Sequence, residues 1–290
     1  MESTILTSIF EKVRCDKWVC NIIDSYIYEN KEEFYPKYDK QIKCQYKTRF
    51  GKKFGEYKEY FYVLSSEKDK SIKTSREYNF IDDKKDGEYK SFFKDGELHI
   101  HSFYKLDKLH GEYKKWGKSF FQRNKRFIMI HTNFREGLRH GEYKEWFNNS
   151  SRYQDVMLYH CHYKLGILDG EFKKWNKTGE LLIHCYYKDG ELDGEYLEWY
   201  RDGSLRIKTF YKEGRLEGEY FEWKKEKKKF GKEKSPHIQA FYILGKLEGE
   251  YKNIYLNDNI KILCYYKGGR LDGEYNEWSK KGTLMKHFFY

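Results

Sequence analysis

Proline is almost absent, with two residues in 290. Proline has no amide hydrogen to give to a strand ladder, so a chain this poor in it can run as continuous sheet. No run of 18 apolar residues occurs either, which excludes a membrane-spanning helix from the expectation. Glu2 precedes the first apolar stretch and no small-residue cleavage site follows, so no secretory leader is expected. The six cysteines lack paired local spacing, which fits a reducing, intracellular compartment. There is no glycine loop for a nucleotide, no nucleophile elbow and no convergent acid–base pair. No enzymatic activity, cofactor or small-molecule substrate is therefore expected.

What the chain has in quantity is aromatic: 29 Tyr, 21 Phe and 7 Trp. A mean hydropathy of −1.00 with 36% charged residues would signal disorder without those rings. The net charge of +11 favours anionic partners. Charges of both signs alternate along most of the chain, however, which is also how a solvated sheet face reads.

A 24-residue unit accounts for most of the length. Gly194 to Glu217 reads GEYLEWYRDGSLRIKTFYKEGRLE, and the pattern restarts at Gly218. A short strand (Glu195 to Trp199), an Asp-Gly turn, a longer strand (Ser204 to Tyr211) and a turn through Gly214 make one β-hairpin. Nine units open at Gly55, Gly87, Gly111, Gly141, Gly170, Gly194, Gly218, Gly249 and Gly273. Intervals longer than 24 residues carry polar insertions such as Ser65 to Lys70, Asn148 to Arg152 and Lys224 to Lys234, read as projecting loops. Residues 41–290 thus form the repeat array. Residues 1–29 differ: Ile5, Leu6, Ile9, Phe10 and Val13, then Trp18, Val19, Ile22, Ile23 and Tyr26, recur at helical spacing. Two short helices are expected there, as a cap on the open sheet edge or as a docking segment of the F-box adaptor kind. Residues 30–40 read as a connector. The last unit stops at Tyr290, leaving an uncapped edge strand that offers a surface for self-association.

Alignment of the units places like chemistry in columns. On the long strand, Leu205, Ile207, Thr209 and Tyr211 and their counterparts form an apolar face at period two, the expected core. Cys161, Cys185 and Cys264 share the Thr209 column with Ser102, Thr132 and Ala240, so they read as small buried thiols. His101, His131, His160, His184 and His287 form a column on the opposite face. Equivalent positions lie two strands apart, roughly 9.5 Å, too far for one ion or one disulfide, so neither metal nor disulfide is expected from these columns. The glutamate after each opening glycine, Glu56 through Glu274, is repeated too often to be catalytic and should pair with lysines of adjacent strands. Each unit's Tyr and Trp are three residues apart, which means either a bulged strand or a sheet aromatic on both sides.

G-E-[YF]-x-x-[WY], a D-G or x-G turn, a long strand ending in an aromatic, and G-x-L-x-G together resemble the MORN repeat. The likeness is closer to the variant in toxin–antitoxin-type and large-virus repeat proteins than to the standard Y-x-G-x-W form, whose second internal glycine is missing. This resemblance implies an all-β, elongated, single-layer twisted antiparallel sheet of tandem hairpins. It also implies a non-enzymatic scaffold that binds proteins, and the Lys/Tyr/Asn-rich composition is similar to that of large DNA-virus proteins, pointing to the cytoplasm or a virion. The expected protein-binding residues are Trp116, Trp146, Trp175, Trp199, Trp223 and Trp278. One alternative is an anionic membrane or nucleic-acid surface bound through Lys114, Lys144, Lys173, Lys224, Lys225, Lys227, Lys228 and Lys229. Another, on family likeness alone, is an antitoxin or immunity protein.

Overall fold

At one end of each hairpin the chain reverses through two consecutive residues in the left-handed region, such as Glu213 (φ 50°) and Gly214 (φ 72°). That geometry matches the right-handed twist of paired strands, which is why two-residue turns of this kind join them tightly. The computed structural model describes residues 28–34, 42–61, 73–119, 126–147, 156–225 and 235–290. The expected helical segment and the insertion loops lie outside these residues for the most part. All strand pairings are antiparallel, and the described residues contain no helix.

The chain divides into two units, residues 1–115 and 116–290. The first contains β1 (Tyr28–Phe34), β2 (Ile42–Arg49), β3 (Lys52–Tyr60), β4 (Thr74–Ile81), β5 (Lys84–Phe92), β6 (Leu98–Lys105) and most of β7 (Lys108–Lys118). Each strand pairs with the next in sequence. The second contains β8 (Arg126–Arg135), β9 (Leu138–Trp146), β10 (Met157–Lys164), β11 (Ile167–Trp175), β12 (Leu181–Lys188), β13 (Glu191–Trp199) and β14 (Leu205–Lys212). It continues with β15 (Arg215–Glu222), β16 (Ile238–Ile243), β17 (Lys246–Leu247), β18 (Gly249–Ile254), β19 (Ile260–Lys267), β20 (Arg270–Trp278) and β21 (Leu284–Phe289). Here too each strand packs mainly on its sequence neighbours.

Residues 28–34, read above as the end of a helical segment and a connector, are instead strand β1. Its glutamates are held by its neighbour: Gln45 Nε2 donates to Glu32 Oε1 at 2.6 Å and Tyr46 OH to Glu33 Oε1 at 3.2 Å. The Tyr28 ring rests 5.5 Å from Phe54 and under the Arg49 guanidinium at 5.9 Å. Cross-strand partners, invisible in a run of glutamates, make this polar stretch a strand.

Two kinds of bulge recur along the units and shape the sheet. At the first, β13 sets Asp193, Gly194 and Glu195 against Tyr186 alone, because Cys185 pairs with Tyr196 and Tyr187 with Leu192. Gly194 takes φ +119°, and a Cβ there would come within 3.3 Å of Tyr186 Cβ, so the bulge needs glycine on both counts. At the second, Glu198 pairs with Ile207 and Trp199 with Leu205, which leaves Arg206 as the extra residue.

The core is one side chain thick. Ser102, Thr132, Cys161, Cys185, Thr209 and Cys264 are 1–2% exposed, and the tyrosines of flanking strands close over them. Around these small residues the rings meet edge to face: Tyr196 and Tyr211 at 5.6 Å and 68°, Tyr143 and Tyr163 at 5.8 Å and 79°. Where Tyr46 and Tyr78 fill the small-residue column, the rings stack instead, Tyr57 lying 4.6 Å from Tyr78 at 18°.

Candidate functional site

The second bulge decides what the tryptophans meet. β13 runs unbroken through Glu198, so Trp199 faces away from Tyr196 and Glu198. The skipped residue moves the partner strand instead, with Arg206 ion-paired to Glu198 on that residue's face and Leu205 turned to the face of Trp199. The same offset sets Trp175 against Leu181 and Trp278 against Leu284. Tyr and Trp therefore point to opposite faces, the second of the two expectations: the sheet is aromatic on both sides, with the tryptophans on the face that Phe221 shares with Phe241 and Tyr265. All six candidate tryptophans are half-buried. Trp116 lies beneath the Arg126 guanidinium at 4.9 Å, and Trp223 packs 6.1 Å from Phe221. On the core face Tyr143 OH donates to Glu145 Oε2 at 2.6 Å and Tyr220 OH to Glu222 Oε2 at 3.0 Å. The thiols are inert here: burial pushes Cys161 up to about 11 and Cys185 up to about 12.

The opposite face carries the charges. Where a lysine stands two residues on, the opening glutamate pairs with it within its own strand. The distances are 2.9 Å for Lys58 to Glu56 and 2.7 Å for Lys90 to Glu88, Lys114 to Glu112, Lys144 to Glu142 and Lys173 to Glu171. In these units the expected pairing with adjacent strands is thus replaced by an i, i+2 pair, since both side chains point the same way, while Glu195 keeps a cross-strand pair with Lys208 at 3.8 Å. A histidine of the next strand completes three of the clusters. His101 Nε2 lies 2.7 Å from Glu88 Oε1, His160 Nε2 2.8 Å from Glu142 Oε1, and His184 Nε2 2.9 Å from Glu171 Oε1. The hydrogen bond from lysine, outweighing desolvation, holds Glu88, Glu142 and Glu171 below the usual carboxylate range. Of the expected anion-binding residues, Lys114, Lys144 and Lys173 are therefore neutralised locally, Lys224 and Lys225 are exposed, and Lys227, Lys228 and Lys229 lie outside the described residues.

The same face holds an aromatic row. Tyr186, Phe210, Phe241 and Tyr265 are exposed at one column of successive units, each directly across from an opening glutamate: Glu171, Glu195, Glu219 and Glu250. Phe241 and Tyr265 line a shallow hollow of about 560 Å³ with Phe221, Glu219 and Glu250. The sequence columns contain this row, but only the structure distinguishes its exposed rings from the half-buried tryptophans. Along β21, Leu284, Met285, Phe288 and Phe289 are exposed as well.

Neither protein-family models nor curated proteins yield a match to this chain. Among the described residues no helix is long and apolar enough to cross a membrane.

Proposed function

We propose that this chain is a non-enzymatic, MORN-like repeat protein that binds another protein, inside the cell or in a large-virus particle. The observation that carries this reading is the exposed row Tyr186, Phe210, Phe241 and Tyr265. Rings held in water at regular spacing retain their hydrophobic free energy for a contact, and large rings dominate interface energetics. The glutamate across from each ring supplies a polar rim that sets register with a partner. The exposed row takes over the role first expected of the tryptophans, which are half-buried.

The test is capture of partners by full-length protein and by two multiple variants, with salt raised from about 0.15 M to about 1 M so that the Debye length falls from about 8 Å to about 3 Å. Phe210→Ser with Phe241→Ser and Tyr265→Ser should lose a discrete partner at both salts while melting normally. Trp175→Ala with Trp199→Ala should lower the melting temperature. Retention of every captured protein by the triple variant would sink the proposal. Capture of only lipid or nucleic acid, released at high salt, would instead move the function to the lysines.

A further inference from the structure

The unit opening at Gly141 is distinct where the charged face meets the aromatic row. Units opening at Gly87 and Gly170 place Phe103 and Tyr186 beside their Glu–Lys–His clusters, with ring centroids 5.1 Å from His101 and 5.2 Å from His184. The Gly141 unit, one of the two between them, has His162 at that position, its ring 5.5 Å from His160. A column of rings thus becomes, once, a second imidazole.

Three features bring the donors together. His160 and His162 are two residues apart on β10, so both point to the charged face. Glu142 on β9 lies directly across from His162, and its Oε1 already receives His160 Nε2–H at 2.8 Å. The ligand atoms of Glu142, His160 and His162 all lie within 4.8 Å of one another. On the far side, Gly170 stands in the bulge opposite His162, where a Cβ would approach His162 Cβ to 3.3 Å, so the space above that imidazole is left open.

We propose that Glu142, His160 and His162 bind a divalent transition-metal ion of the Zn²⁺, Co²⁺ or Ni²⁺ class through two imidazole nitrogens and one carboxylate oxygen. A tetrahedral ion with bonds of about 2.0–2.1 Å needs its donors about 3.3–3.4 Å apart. His160 and Glu142 are inside that separation, and side-chain rotation brings His162 in. The ion takes the place of the hydrogen between His160 Nε2 and Glu142, and the neutral imidazole then carries its proton on Nδ1, so binding needs a change of tautomer and no net proton loss. Three protein donors leave a coordination position for water or for a donor from a partner docked on the same face. The groups facing the site are Lys144, whose Nζ lies 2.7 Å from Glu142 Oε1, and, on β11, Lys173 paired with Glu171. Lys144 competes with the ion for the carboxylate.

The test is equilibrium dialysis of full-length protein against ZnCl₂, followed by metal analysis and a thermal melt, with CoCl₂ visible absorption reporting low coordination by nitrogen and oxygen. Wild type should retain one equivalent and melt higher in zinc. His162→Phe, which restores the ring of neighbouring units, should fold normally and lose that equivalent, and Glu142→Gln should lose it too. His184→Ala should keep it. Lys144→Met should bind about two- to five-fold more tightly, as an exposed ion pair is removed from competition. Wild type without bound zinc, His162→Phe with undiminished zinc, or a loss in His184→Ala equal to that in His162→Phe would each overturn the proposal.

Discussion

Within the small-residue column, identical burial produces different energetics. Thr132 and Thr209 donate their hydroxyls to the carbonyls of Glu142 at 3.1 Å and Glu219 at 3.0 Å. Ser102, 1% exposed, has a buried Oγ with no partner among the described residues. A buried hydroxyl without a hydrogen bond is destabilising, whereas removing a bonded one leaves a carbonyl unpaired. Ser102→Ala should therefore stabilise the protein by about 1 kcal/mol, and Thr209→Ala should destabilise it by about 1–2 kcal/mol. Urea midpoints of the two variants check this, and shifts of the same sign would contradict it. The column was legible in the sequence because period-two alternation assigns a face without further information. The metal trio was not. The spacing argument compared equivalent positions in neighbouring units, and it does not cover His160 and His162 on one strand.

Hairpin turns and bulges belong together as one element. Each two-residue turn docks on the strand before it: Gly190 N–H donates to Leu168 O, Gly214 to Leu192 O and Gly245 to Leu216 O, all at 2.9 Å. Where an acid precedes the opening glycine, it takes the other left-handed amide. Glu213 N–H reaches Asp193 Oδ2 at 3.3 Å, Leu244 N–H reaches Glu217 Oε2 at 2.8 Å, and Gly268 N–H reaches Glu248 Oε2 at 2.7 Å. Asp193→Ala should destabilise by about 0.5–1.5 kcal/mol and speed amide exchange at Glu213 and Gly214, while Asp193→Glu restores protection. Unchanged exchange in Asp193→Ala would show that the backbone bond suffices. The turn was legible from its Glu-Gly pair, but the carboxylate's partner was not, since it lies 20 residues away. Likewise the face of Leu205, read from alternation as part of the core, depends on Arg206 being skipped, and no spacing rule within one strand reports a bulge across two.

For the chain as a whole, tyrosine burial sets the alkaline limit of stability. Burial raises Tyr78 and Tyr266 from the ordinary 10.0 to about 12, and Tyr104, Tyr187, Tyr211 and Tyr242 are raised too. Unfolded tyrosines release their protons near pH 10 while the folded ones keep theirs, so deprotonation favours the unfolded chain. Stability should be complete below about pH 10 and lost as pH rises towards about 12. Phenolate absorbance and near-ultraviolet dichroism, followed together, should change in one transition. Phenolate appearing near pH 10 with the dichroism intact would refute this.

The turn-to-bulge contact also makes the array indifferent to copy number. An excision of residues 194–217 would join Asp193 directly to Gly218, and the turn at Leu244, which now rests on Glu217, would meet Asp193 instead. One carboxylate would stand in for another at the same left-handed amide. A chain built this way can lengthen or shorten by whole duplications, each new junction supplied by residues the neighbouring units already carry.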